Sequence, residues 1–239
     1  MTTWADDVVA RATTALSPLR DAERAIEMKR YMKDIAPFLG IAAPDRRAAL
    51  KSAWKSIDRP TSTELGDAAL ALMSLEEREF HYASFDLIER HRRDADDLFL
   101  DLYVTELLTT NSWWDTVDGL VSAAVSPLCR VADQSVLIDG WSESGNIWLI
   151  RSAITHQRGW KADTNIPRIL ELCDRHWANR EFFIAKGIGW AMRDIARMNP
   201  ASITEFLDTH TAPNPVATRE ALRGLASVKK RFSAGEGLR

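Results

Sequence analysis

The segment Ser62-Thr63-Glu64-Leu65-Gly66-Asp67-Ala68-Ala69-Leu70-Ala71-Leu72-Met73-Ser74 decides the fold class. Leu65, Ala69, Leu72 and Met73 recur in steps that place them on one face of an α-helix. Leu98, Leu102, Leu107 and Leu108 repeat the pattern, and strand-type alternation is nowhere sustained, so the sequence predicts an all-α protein. Prolines fall where helices begin or end: Pro18, Pro37, Pro44, Pro60, Pro167, Pro200, and the link from Pro213 to Pro215. The predicted helices cover 3–17, 21–38, 45–57, 62–74, 76–91, 94–109, 113–126, 142–157, 166–177, 181–198, 201–210 and 216–227. Helices this short, joined by brief turns and paired every 35 to 40 residues or so, suggest an α-solenoid of HEAT-like helical hairpins. Its curvature would give a concave face for a long partner such as DNA. A globular helical bundle is the competing architecture.

With 239 residues, 46% of them hydrophobic and 27% charged, the chain is expected to form a single domain over residues 1–239. Only Cys129 and Cys173 are available for pairing, which excludes a disulfide scaffold and suggests a reducing compartment. The start, Met1-Thr2-Thr3-Trp4-Ala5-Asp6-Asp7, has no basic stretch followed by an apolar one, and no run of apolar residues is long enough to span a bilayer. A cytoplasmic protein that makes no membrane contact is therefore expected. The net charge of −3 hides an asymmetry. Residues 1–150 carry 16 basic and 25 acidic side chains, whereas residues 151–239 carry 15 and 9, so the latter part is suited to facing phosphates. Lys229-Lys230-Arg231 reads either as part of that basic face or as a solvated tail.

Familiar catalytic constellations are missing. His81, His91, His156, His176 and His210 form no paired metal-binding motif, and the cysteines lack metal-ligand spacing, so no metal and no cofactor are expected. Neither a phosphate-binding glycine loop nor a nucleophile elbow is present. Tryptophan is the unusual feature, with nine against three tyrosines. Trp54, Trp141 and Trp177 read as core.

The segment Asn111-Ser112-Trp113-Trp114-Asp115-Thr116-Val117-Asp118 reads differently. Ser112 and Asp115 have capping-box spacing, which gives Asp115 a structural role. Asp118 lies beyond capping reach. At i and i+4, Trp114 and Asp118 share a helix face, so an indole and a carboxylate project side by side, an arrangement suited to a cationic sugar. On another helix Trp148 and Arg151 share a face, and Arg151 is read either as a salt-bridge partner of Asp118 or as a phosphate clamp. Gly187 and Gly189, costly inside a helix, suggest that a neighbouring helix or a ligand approaches closely just before Trp190.

Four blocks together resemble the AlkD-type DNA alkylation repair family of HEAT-like DNA glycosylases. They are Tyr31-Met32-Lys33 with Pro37-Phe38-Leu39-Gly40-Ile41, Asn111 to Asp118, Arg151-Ser152-Ala153-Ile154, and Phe182-Phe183-Ile184-Ala185-Lys186-Gly187-Ile188-Gly189-Trp190-Ala191-Met192-Arg193. They stand in the family's order and span most of the chain. The resemblance implies that Asp118 is the catalytic aspartate and that Trp114 and Trp190 flank the sugar of the lesion. It also implies that Arg151 and Lys161 meet the DNA backbone, with Arg193 a further DNA contact, and that Tyr31 lies at the same cleft. Two places depart from the family pattern: Ile195 stands where a tyrosine is expected, and His156-Gln157-Arg158-Gly159-Trp160 matches only loosely.

The implied activity is that of a monofunctional glycosylase acting on cationic N3- or N7-alkylated purines, 7-methylguanine and 3-methyladenine, in duplex DNA, without base flipping and leaving an abasic site. Such a substrate explains why so few groups suffice. The alkylated base departs neutral and needs no general acid, and one carboxylate stabilises the oxocarbenium-like sugar and orients water. A monomer is expected. The competing reading is a non-catalytic helical-repeat scaffold that binds DNA or protein.

Overall fold

The structure, a computed structural model, describes residues 2–210 and 214–233, with side chains in the last helix through Val228. Pro213 and the side chains of Lys229, Lys230 and Arg231 therefore lie outside the described residues. Every regular element among the described residues is helical, so the protein is all-α, built of helical repeats of the α-solenoid type. Two compact units divide the chain between Leu128 and Cys129.

The first unit holds α1 (Trp4–Leu16), α2 (Ala22–Tyr31), α3 (Ala43–Ala53), α4 (Ser62–Met73) and α5 (Arg78–Arg90). A continuous helix follows, made of α6 (Asp97–Phe99), a π turn (Leu100–Val104) and α7 (Thr105–Thr109). Then come α8 (Trp114–Leu120), a second π turn (Val121–Val125) and the start of α9 (Ser126–Val131). Helix α4 forms because Thr61 and Glu64 cap each other's backbone, and it buries Leu65, Ala69, Leu72 and Met73, the stripe read from the sequence. That stripe packs on α1 and α5.

Helix α2 is shorter than the expected 21–38, because Lys33 and Asp34 adopt left-handed backbone angles and turn the chain. The loop it enters is held by Glu79 of α5, a buried carboxylate that accepts from the backbone N–H groups of Leu39, Gly40 and Ile41 at 2.8, 2.9 and 3.0 Å. Gly40, at φ +85°, lies so close to α2 that a Cβ would sit 2.0 Å from the Asp21 carbonyl oxygen.

The second unit holds α10 (Ser135–Glu143), α11 (Ile147–Thr155), α12 (Ile166–Arg175), α13 (Phe182–Met198), α14 (Pro200–Thr209) and α15 (Pro215–Ser233). The helix expected over 142–157 begins only at Ile147, as α11, and α10 lies almost entirely in a stretch where no helix was expected. Gly145, at φ +72°, breaks the chain, and Asn146 caps a new helix by accepting from the N–H groups of Trp148 and Leu149. The apolar period stops between Trp141 and Ile147, where the run Ser142-Glu143-Ser144-Gly145-Asn146 is polar, so the expected helix started too early.

Packing in this unit centres on α13, which contacts α11 on one side and α15 on another. A Cβ on Gly189 would lie 2.7 Å from the Glu220 Cβ of α15, and one on Gly224 would lie 3.0 Å from the Arg193 backbone. The close approach expected at Gly189 is thus made by a helix. Trp141 and Trp177 are core, as is Trp54 in the first unit, whose indole N–H donates to the Val8 carbonyl at 3.2 Å.

Candidate functional site

In the first unit, helix α8 starts without the help expected from Ser112 and Asp115. The Ser112 hydroxyl donates back to the Leu108 carbonyl at 2.6 Å, and it is Thr116 whose hydroxyl accepts from the Trp113 backbone N–H at 3.1 Å. Asp115 is structural for a different reason. It takes a bidentate ion pair from Arg78, Nη2 to Oδ1 at 2.6 Å and Nε to Oδ2 at 3.2 Å, and a hydrogen bond from the Tyr82 hydroxyl. Arg78 is 1% exposed. Burial and the neighbouring Asp115 charge push the Tyr82 hydroxyl far above its ordinary pKa, so it remains a donor.

Thr116, Val117 and Leu120 turn into the core, whereas Trp114 and Asp118 are half-buried, about 40° apart around the axis on the opposite side. Gly119 sets how close α8 approaches α5, since a Cβ there would strike the Phe85 ring at 2.6 Å. The positions of Trp114 and Asp118 therefore share a face of α8 distinct from the one that enters the core. Tyr31, 73% exposed at the end of α2, belongs to a helix with no buried residue.

In the second unit Trp190 is ringed by cations. The guanidinium carbons of Arg151, Arg158 and Arg193 lie 4.9, 5.4 and 5.9 Å from its ring centre. Arg151 is 1% exposed, and its Nη1 donates to the Phe183 carbonyl at 2.7 Å. Gly187 leaves ordinary van der Waals room for it, as a Cβ there would be 3.5 Å from Arg151 Cγ.

Beside Trp190 opens a cleft of about 590 Å³ whose rim carries Arg158, Lys161, Arg193 and Arg197 and whose floor includes Ile154, Ile169 and Met198. Lys161 is exposed, at φ +54°. Arg193 is steered by Glu220, a residue 1% exposed that binds Lys186 at 2.8 Å, Arg223 at 3.0 Å and Arg193 at 3.2 Å. The hydrogen bond from Lys186, with Arg223 and Arg193 nearby, holds the Glu220 carboxyl below the ordinary glutamate range. A family model described as DNA alkylation repair enzyme matches residues 12–225. The chain belongs to the DNA alkylation repair enzyme family.

A solved structure described as a predicted DNA alkylation repair enzyme from Enterococcus faecalis aligns with a TM-score of 0.77 at 26% identity, over 84% of this chain and 94% of that one. No curated protein matches the chain. For a DNA alkylation repair enzyme the natural partner is DNA, and the cationic cleft has the charge to meet phosphates. Among the described residues no three His, Cys, Asp or Glu side chains gather as metal ligands, and no helix is long and apolar enough to cross a membrane. Burial pushes the Cys129 thiol up to about 12 and the Cys173 thiol further, so neither is a ready nucleophile.

The structure brings Trp114 and Asp118 together on α8 and gathers Arg151, Lys161, Trp190 and Arg193 at or behind one cleft. Sequence reasoning missed Arg78, Arg158, Arg197 and Glu220. For Arg78 a signal existed: an arginine in the first turn of a helix opposes the helix dipole and calls for an acidic partner.

Proposed function

We propose that this protein is a monofunctional DNA glycosylase that hydrolyses the N-glycosidic bond of cationic N3- or N7-alkylated purines in duplex DNA, working as a monomer in the cytoplasm, with residues 1–239 acting as one functional domain. The observation that carries the reading is that half-buried Trp114 and Asp118 share one face of α8, one turn from Asp115, which Arg78 and Tyr82 hold. An alkylated purine already bears positive charge, so it leaves neutral and the charge moves to the deoxyribose. Asp118 stabilises that charge and orients the attacking water, while the faces of Trp114 and Trp190 meet cationic sugar and lesion. A carboxylate about 4 Å from a unit charge contributes about 4 kcal/mol at an effective dielectric near 20, which is roughly a thousandfold in rate.

Lys161 and Arg193, with Arg158 beside them, hold the DNA backbone at the cleft, and a surface of this kind works without a flipped base. Arg151 is assigned to the same backbone although its guanidinium is buried, and Tyr31 to the DNA from the exposed end of α2. Arg151→Ala decides the first of these: weaker DNA binding with a flatter salt dependence supports a phosphate contact, and an unchanged slope makes Arg151 a prop for Trp190.

The test of the function is incubation of the protein with duplex DNA containing 7-methylguanine. Release of the free base, with the strand breaking only after alkali, is the expected result. Binding to the duplex without release would instead make the protein a non-catalytic scaffold.

A further inference from the structure

We infer that Arg78 is a positioning residue for the reaction: with Tyr82 it clamps the start of α8 so that Trp114 and Asp118 are presented in one orientation. The inference rests on the reading of Asp118 given above. A guanidinium has donors in a rigid planar fork, and here the fork spans the loop and first turn that lead to the site. Nη1 donates to the Asn111 carbonyl at 2.6 Å, Nη2 to the Thr116 hydroxyl at 3.1 Å, and Nε and Nη2 to the two oxygens of Asp115. Residues 111, 115 and 116 are thereby tied to one planar group on α5.

Asn111 needs the tie, because it holds a left-handed backbone at φ +46° and its side chain is also fastened, donating to the Met73 carbonyl at 2.8 Å. Helix α8 itself is short, seven residues before the π turn, and its preceding serine is spent elsewhere. Buried Val117 and Leu120 anchor α8 in the core, and the Arg78 fork adds the polar tie that fixes its first turn.

The clamp has a second point. Arg78, Tyr82 and Phe85 follow one another along one face of α5, and Asp115 and Gly119, one turn apart on α8, meet that face at Arg78 with Tyr82 and at Phe85. Asp118 stands next to the second contact on the adjoining face. A rotation or slide of α8 along α5 would carry Trp114 and Asp118 with it, and a misplacement of about 1 Å costs on the order of a hundredfold in rate.

The remaining neighbour fits the same role. His81 Nε2 lies 2.7 Å from the Leu75 carbonyl and Nδ1 lies 3.1 Å from Arg78 Nη1, so the neutral ring donates at Nε2 and accepts at Nδ1. Burial holds its pKa below the ordinary histidine value, with the Arg78 charge acting in the same direction. Arg78 is thus accepted on every side, by Asp115, Thr116, Asn111 and His81.

The test is single-turnover excision of 7-methylguanine at saturating protein, alongside DNA affinity, for the wild type, Arg78→Lys, Tyr82→Phe and Asp118→Asn. Arg78→Lys keeps the charge but loses the fork, and its rate is expected to fall on the order of a hundredfold with affinity within about twofold. Tyr82→Phe, which removes one hydroxyl from Asp115, is expected to fold normally and to lose roughly threefold to tenfold in rate alone. Wild-type rates in both variants, with Asp118→Asn inactive, overturn the positioning role and leave the function standing. Loss of affinity in proportion to rate overturns it as well, since that is the mark of general destabilisation. An inactive wild type overturns both readings together.

Discussion

One helix contact in each unit is built on a buried ion, and the two ions have opposite signs. Between α5 and α8 the buried ion is a cation, Arg78, and it gathers acceptors on the helix that carries Asp118. Between α13 and α15 it is an anion, Glu220, and it gathers Lys186 and Arg193 on the helix that carries Trp190. Each contact is made close by a missing Cβ, at Gly119 in one unit and Gly189 in the other. The sign of the buried ion matches what its helix presents. An acid held by a buried arginine accompanies the face we propose meets a cationic sugar, and bases held by a buried glutamate accompany the cleft we propose meets phosphates.

The sharpest way to break this comparison is to delete the buried ions. Arg78→Met should lower the unfolding free energy by about 3 to 5 kcal/mol, because Asp115, only 11% exposed, is left without a counter-charge, and Glu220→Met should cost less, because Lys186, Arg193 and Arg223 are 25%, 33% and 62% exposed and regain water. Urea denaturation measures it, and a loss below about 1 kcal/mol in either would mean that ion is incidental.

A second prediction concerns acid. Burial lowers the pKa of His156 in the second unit from the ordinary 6.5 to about 4, and the ring is satisfied as a neutral group, with Nδ1 2.7 Å from the Ala153 carbonyl and Nε2 3.1 Å from the Gln157 amide. Since the unfolded chain takes up the proton first, this stability is fully present above pH 6.5 and drains away as the pH falls towards about 4. The loss is at most about 3 kcal/mol from this residue. His156→Leu should flatten the pH dependence of the urea midpoint over that window, and an unchanged slope would assign the acid sensitivity to other groups.

The smallest effect separates the exposed cation from the buried one. Lys161→Ala should reduce the slope of log affinity against log salt by about 1 for any duplex, damaged or not, because one phosphate contact is lost. Fluorescence anisotropy of a labelled duplex across a salt series measures it, and an unaltered slope removes Lys161 from the backbone contacts.

The sequence made the fold legible wherever apolar spacing alone decides it, as along Leu65 to Met73, and made the α8 pair legible because i and i+4 positions share a face in any helix. The break at Gly145 was also legible, in the polar run from Ser142 to Asn146, but a helix expected from 142 passed over it. Partners distant in the chain were hidden: Asp115 is explained by an arginine 37 positions away, whereas the local spacing from Ser112 offered a plausible but different account. Glu220 was invisible for the same reason, a single acid in a basic stretch whose meaning depends on which helix lies against it.

The central claim is that one carboxylate on α8 drives loss of the base, and Asp118→Asn tests it most directly. Single-turnover release of 7-methylguanine should fall roughly a thousandfold against the wild type, while affinity for the same duplex holds or rises because a negative charge near phosphates is gone. Equal release by both proteins would contradict the account.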